Sequence, residues 1–212
     1  MKRLISSMAC CAMVLLAAPF AVSTAVAAEA SIGLKGDRLG STLSTFKQTH
    51  PDAFCSDESD ADFLSPSVLY IGLINCRTIP PYLKRRGVEE TVANVPATTT
   101  YYFISTDMES FDTYLLRKMV ASFDHTGYSQ VRAAILAKYG EADEVERKHV
   151  QNRMGVSFPS ERLIWNESGG QVALVEHAGR LDRSMLLLLS PKLEQGFHKR
   201  KAGVGNRDAS DL

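Results

Sequence analysis

The clearest pattern of apolar and polar positions runs from Leu115 to Ser190. Leu115 to Phe123 reads as a β-strand, and Asp124-His125-Thr126-Gly127 breaks it. Tyr128, Val131, Ile135 and Tyr139 then recur at helical spacing, an apolar stripe on a helix of about three turns. Gln130, Arg132 and Lys138 fall off the stripe and face water, and the intervening alanines are strong helix formers. Thr126 or Ser129 is placed to cap the start, and Gly140 suits the left-handed position past the end. Leu163-Ile164-Trp165 and Val172 to Val175 flank Gly169-Gly170, a hairpin signature. Met185 to Leu189 is an uninterrupted apolar run, which predicts a central strand covered on both faces. One helix cannot cover two faces, so a further element must lie over this strand.

The earlier half follows a similar plan. Ser41 or Thr42 can cap a short helix carrying Leu43 and Phe46, limited at His50 by Pro51. Val68 to Cys76 is a strand candidate that ends before Pro80-Pro81. Thr98 to Ser105 is the plainest β segment, three threonines followed by Tyr101-Tyr102-Phe103-Ile104. Asp57, Glu58, Asp60 and Asp62 read as a solvated loop, since the glycine and closing glutamate of a calcium loop are missing. Lys84-Arg85-Arg86 reads as a solvated surface connection. These elements predict an α+β fold, an antiparallel sheet with helices packed on one face. The loose match between Gly40-Ser41-Thr42-Leu43 and Gly127-Tyr128-Ser129-Gln130-Val131 raises a tandem duplication. Residues 29–124 form the first helix-plus-sheet half and residues 125–194 the second; residues 195–212, without apolar periodicity, form a mobile tail.

Gly127-Tyr128-Ser129-Gln130-Val131, Tyr139-Gly140-Glu141-Ala142 and Trp165 together resemble the punctuation of two kinds of small exported domain. These are the β-lactamase-inhibitor-protein-like domains and the SmpA/OmlA type of envelope lipoprotein. The resemblance implies helices on one face of an antiparallel sheet and action by binding proteins. It transfers no functional residue position by position. Ala142 stands where the lipoprotein pattern has proline, and no lipobox is present.

Composition places the chain outside the cytosol. Lys2 and Arg3, an apolar stretch from Met8 to Val22 and the small residues Ala25 to Ala28 make residues 1–28 a secretory signal peptide. Ser7-Met8-Ala9 before Cys10 lacks the leucine of a lipidation signal. The signal takes two basic and no acidic residues from a chain of 24 basic and 24 acidic side chains, leaving a slight acidic excess. Nothing in that balance favours nucleic acid, and no stretch predicts a membrane span. Cys55 and Cys76 are the two cysteines left, which predicts one disulfide in a periplasmic protein.

Catalytic motifs are missing. Gly155-Val156-Ser157-Phe158-Pro159 lacks the second glycine of a nucleophile elbow, and His50, His125, His149, His177 and His198 show no ligand spacing. His125 reads as a solvated turn residue. No cofactor, metal site or catalytic set is therefore expected, and an enzyme is the lesser reading. The sequence predicts a periplasmic protein-binding module: an inhibitor, an immunity factor or an envelope adaptor. Its partner would be another envelope or secreted protein. Tyr101, Tyr102 and Phe103 are the candidate binding residues, because alternation must send at least one ring to the uncovered face. Two alternatives stay open: a small hydrolase using His149, His177 and Glu176, and a binder of an apolar small molecule between sheet and helices.

Overall fold

The computed structural model describes residues 32–56, 72–78, 90–107 and 113–210, with side chains to residue 203. The signal segment, the acidic loop at 57–62, Tyr70 and Ile71, the basic triplet at 84–86 and the turn at 108–112 lie outside the described residues.

A short hairpin, β1 (Gly33–Leu34) and β2 (Asp37–Arg38), leads into α1 (Leu43–Thr49). The Thr42 side chain accepts from the Thr45 N–H at 3.1 Å, the cap expected there. Then come β3 (Phe54–Cys55), β4 (Leu73–Arg77), β5 (Glu90–Val92), β6 (Val95–Ser105) and β7 (Tyr114–Asp124). A 3-10 turn, His125–Gly127, opens α2 (Tyr128–Tyr139). After it run β8 (Glu144–Gln151), β9 (Ser157–Glu167), β10 (Gly170–Val175), β11 (Arg183–Leu189) and α3 (Pro191–Ser210).

Among the described residues nine strands form one antiparallel sheet in the order β3-β4-β6-β7-β11-β10-β9-β8, with β5 also paired to β6. The fold is therefore α+β, and strands from both halves of the chain share the sheet. β11 lies between β7 and β10, so the Met185–Leu189 run is central as its composition requires. Cys55 and Cys76 oppose each other on β3 and β4 and are joined by a disulfide, with Cα atoms 4.1 Å apart.

Alternation sorts the sheet into two faces. Tyr101, Met119, Leu188, Val172 and Trp165 stand in register across β6, β7, β11, β10 and β9, all buried. Thr99, Ala121, Leu186, Leu174 and Leu163 make the next row on that face. Leu43 and Phe46 of α1 and Tyr128, Val131 and Ile135 of α2 pack on these rows as one core. Each large side chain removed from water there contributes about 1.5–3 kcal/mol before entropy is counted. The Trp165 indole N–H donates to the Gly140 carbonyl at 3.0 Å, tying the end of α2 to β9.

Two expectations change. The α2 cap is neither Thr126 nor Ser129: helix α2 starts from Gly127 without a side-chain cap, and Asp124 caps the preceding 3-10 turn through Thr126. Those two bonds from Thr126, side chain before backbone, hold the Asp124 carboxyl below the usual carboxylate range. The second change concerns the sheet's other face. α1 and α2 share one face, but Leu193 and Phe197 of α3 pack on Leu73 and Ile104, and Ile104 points opposite to the core residue Phe103. A helix thus begins at Pro191 and continues through the segment read from sequence as a tail. No described helix is long and apolar enough to cross a membrane.

Candidate interaction arm and histidine cluster

The expected binding residues divide between the two faces. Tyr101 and Phe103 are both 0% exposed, with the Phe46 ring tilted against them at centroid distances of 4.7 and 5.3 Å, so neither can meet a partner. Burial first, then the charges of Asp37 and Glu90, push the Tyr101 hydroxyl pKa up. Tyr102 lies on the other face, half-buried, with Lys118 Nζ 4.7 Å and the Arg117 guanidinium 5.7 Å from its ring centroid. Arg117 is the extra residue of a bulge: Tyr102 pairs with Lys118 and Phe103 with Leu116. Burial, with Arg117 second, lowers the Lys118 pKa. Tyr102 is thus engaged by cations of its own chain.

A different surface is exposed at the far end of the sheet. Among the described residues β8 is the last strand of the sheet and pairs with β9 alone. β10 takes up β9 from Arg162 to Glu167, so the ladder steps Lys148↔Ser160, His149↔Pro159, Val150↔Phe158 and Gln151↔Ser157 form a two-stranded arm. Between Lys148 and Pro159 every residue is exposed except the half-buried Val150, Asn152 and Phe158. From Arg147 to Ser160 the chain has Arg147, Lys148, His149 and Arg153 and no acidic residue.

The tip of the arm is stiff. Asn152 Oδ1 accepts from the N–H groups of Met154 and Val156, each at 2.9 Å. The Asn152 N–H donates to the Val156 carbonyl and the Gly155 N–H to the Asn152 carbonyl, both at 3.0 Å. Gly155 takes φ +81°, a conformation other residues adopt at a cost. This turn holds Met154 88% exposed and Val156 51% exposed. Fixed apolar side chains in a cationic surround, next to an open strand edge, are the features of a protein contact. The sequence hid the arm because β8 is polar at nearly every position and has no alternation.

A second constellation lies at the end of β7, β10 and β11. His149 and His177, grouped from sequence, sit on different structures: His149 is exposed on β8, while His177 packs against His125, ring centroids 4.4 Å apart. One ligand atom each from His125, Glu176 and His177 lie within 4.8 Å of one another. The His125 N–H donates to the Asp182 carbonyl at 3.1 Å, which fixes the turn after β7 to the loop before β11. Ser184 Oγ donates to the Glu176 carbonyl at 2.6 Å and lies 3.4 Å from His125 Nδ1. His177 Nδ1 is 2.9 Å from the Leu181 carbonyl. The Glu161 N–H donates to Glu176 Oε2 at 3.0 Å, while Glu161 Oε1 accepts from the Tyr128 hydroxyl and Arg132 Nε, each at 2.9 Å. Burial, then the hydrogen bond to Glu161, pushes the Tyr128 pKa up. His125 is distant in sequence from the adjacent pair Glu176-His177 and meets it only through strand pairing, which is why spacing could not reveal the cluster.

Two clefts flank α1 and the start of α3. One is lined by Thr42, Lys47, Gln48 and Tyr114 among others, the second by Leu115, Ser168, Lys192 and Leu193 among others; among the described residues neither includes a histidine, a cysteine or a carboxylate. Comparison of the chain with protein-family models, with curated proteins and with solved structures finds no match.

Proposed function

We propose that the protein is an exported binding module, acting in the periplasm, whose partner is another envelope or secreted protein held by the β8–β9 arm. The supporting observation is the arm itself: Met154 on a turn locked by Asn152, the cations Lys148 and Arg153 on the strand and turn leading to it, and the outer edge of β8 outside every described ladder. The secretory pattern of residues 1–28 and the Cys55–Cys76 bridge suit an oxidising compartment. The complementary surface is acidic, with an apolar recess for Met154 and a strand that pairs with β8. A protein fits these features better than an anionic membrane. Backbone groups on the edge of β8 find hydrogen bonds from a partner strand and none in hydrocarbon, and the tip carries no aromatic ring.

The test uses the partner once it has been isolated by way of the arm. Wild-type protein should bind it with an affinity that falls as salt rises. Lys148→Glu with Arg153→Glu should weaken binding at least about tenfold while leaving the melting temperature unchanged. Binding insensitive to these changes and to Met154→Ala refutes the arm. Arm-dependent binding to phosphatidylglycerol vesicles with no protein partner would replace the protein by a membrane.

A further inference from the structure

We propose that His125, Glu176 and His177 bind a late first-row divalent metal ion, Zn2+ in particular, at a site separate from the arm. The hydrogen bonds of the cluster fix where its protons sit. Ser184 Oγ has one proton and donates it to the Glu176 carbonyl, so toward His125 Nδ1 it can only accept. The Leu181 carbonyl can likewise only accept from His177 Nδ1. Both rings therefore carry hydrogen on Nδ1, and both keep a lone pair on Nε2. Glu176 has one oxygen engaged by the Glu161 N–H, which leaves Oε1.

Two imidazoles and one carboxylate are thus each oriented by a neighbour and each left with one donor atom, the arrangement that outer hydrogen bonds give to metal ligands. The set suits Zn2+ and its neighbours in the series; Ca2+ and Mg2+ prefer oxygen ligands alone. Ligand atoms around a tetrahedral Zn2+ at about 2.05 Å stand roughly 3.4 Å apart. One ligand atom from each residue lies within 4.8 Å of the others, so binding asks for closure of at most about 1.4 Å, together with rotation of these half-buried side chains. Three protein ligands leave a fourth position for water. A metal also accounts for two histidine rings held 4.4 Å apart beside a carboxylate, where protonation of both would set like charges together.

Calorimetric titration of untagged, metal-free protein with Zn2+ tests the assignment. One ion per chain should bind with a dissociation constant of about 10 μM or tighter. His125→Ala and His177→Ala should each weaken it at least about 100-fold, and Glu176→Gln and Ser184→Ala at least about tenfold. His149→Ala and His198→Ala, both away from the cluster, should leave it unchanged. Co2+ in place of Zn2+ should give visible absorption that fades in the same variants. Melting curves recorded without metal separate lost ligands from lost folding; if His125→Ala is unfolded, the loop variant His177→Ala decides. Wild-type affinity in His177→Ala, or a wild-type dissociation constant weaker than about 1 mM, overturns the proposal.

Discussion

The Arg117 guanidinium lies 4.1 Å from the centroid of the Phe197 ring. Its Nη1 also meets Glu194, so one bulge residue on β7 holds two positions of α3. Arg117 is 3% exposed and Glu194 is the carboxylate paired with it. Removing that carboxylate leaves a buried charge without its counter-ion. Glu194→Ala is expected to cost about 2–4 kcal/mol in a urea titration, and Glu194→Gln somewhat less. A cost below about 0.5 kcal/mol would mean that α3 is not anchored through Arg117.

Tyr101 and Tyr102 are neighbours with different duties. Tyr101 sits among Phe46, His50 and Phe103, whereas Tyr102 lies under Lys118 and Arg117. Tyr101→Ala should cost about 3–5 kcal/mol by opening a cavity. Tyr102→Ala should cost about 1 kcal/mol, the loss of two cation–ring contacts on a half-buried site. Chemical denaturation of the two variants checks the ordering, and equal losses would contradict it.

Alkaline pH acts on the same rings. Tyr101 and Tyr128 both have hydroxyl pKa values raised in the folded protein, by burial first. A raised folded value means that the stabilisation is complete below the unfolded pKa of about 10 and is lost as pH rises above it. Denaturant midpoints should therefore fall above about pH 10, and tyrosinate absorbance from these two residues should appear only with unfolding. Reversible titration of all tyrosines at pH 10 in the folded protein would exclude this.

The disulfide closes the segment between β3 and β4, two short strands at the sheet edge. Cys76→Ala should lower stability by about 2–5 kcal/mol. Thiol labelling of unreduced, unfolded wild type should find neither Cys55 nor Cys76 reactive. Labelling of both would contradict the bridge.

Local order was legible in the sequence where one physical requirement acted alone. The 3.6-residue stripe of Tyr128, Val131 and Ile135, the positive φ of Gly140 and Gly169, and the central place of Met185–Leu189 all came through. The strand before the Gly169-Gly170 turn also came through, with Leu163, Ile164 and Trp165 all buried. Two elements escaped because their stability depends on partners elsewhere in the chain. β8 has no alternation to read, since it needs only β9 to complete its ladder. α3 has weak periodicity of its own and is held by Arg117, Leu73 and Ile104 from strands far back in the chain. The same cause hid the two proposed sites. Tyr101 and Phe103 looked available because sequence cannot assign faces, and His125 found His177 only through the pairing of β7, β11 and β10.

Photocross-linking from the tip of the arm tests most directly whether the protein binds through it. A photoreactive side chain replaces Met154 in the exported protein, with Ala137 on the exposed side of α2 as the control position. Position 154 should give one discrete protein adduct, of an identified partner with an acidic surface, and Ala137 should not give it. The adduct should fall by at least about tenfold when Lys148→Glu and Arg153→Glu are added, as charge-steered contacts do. Equal adducts from both positions, or an adduct from 154 that survives charge reversal unchanged, would contradict binding through the β8–β9 arm.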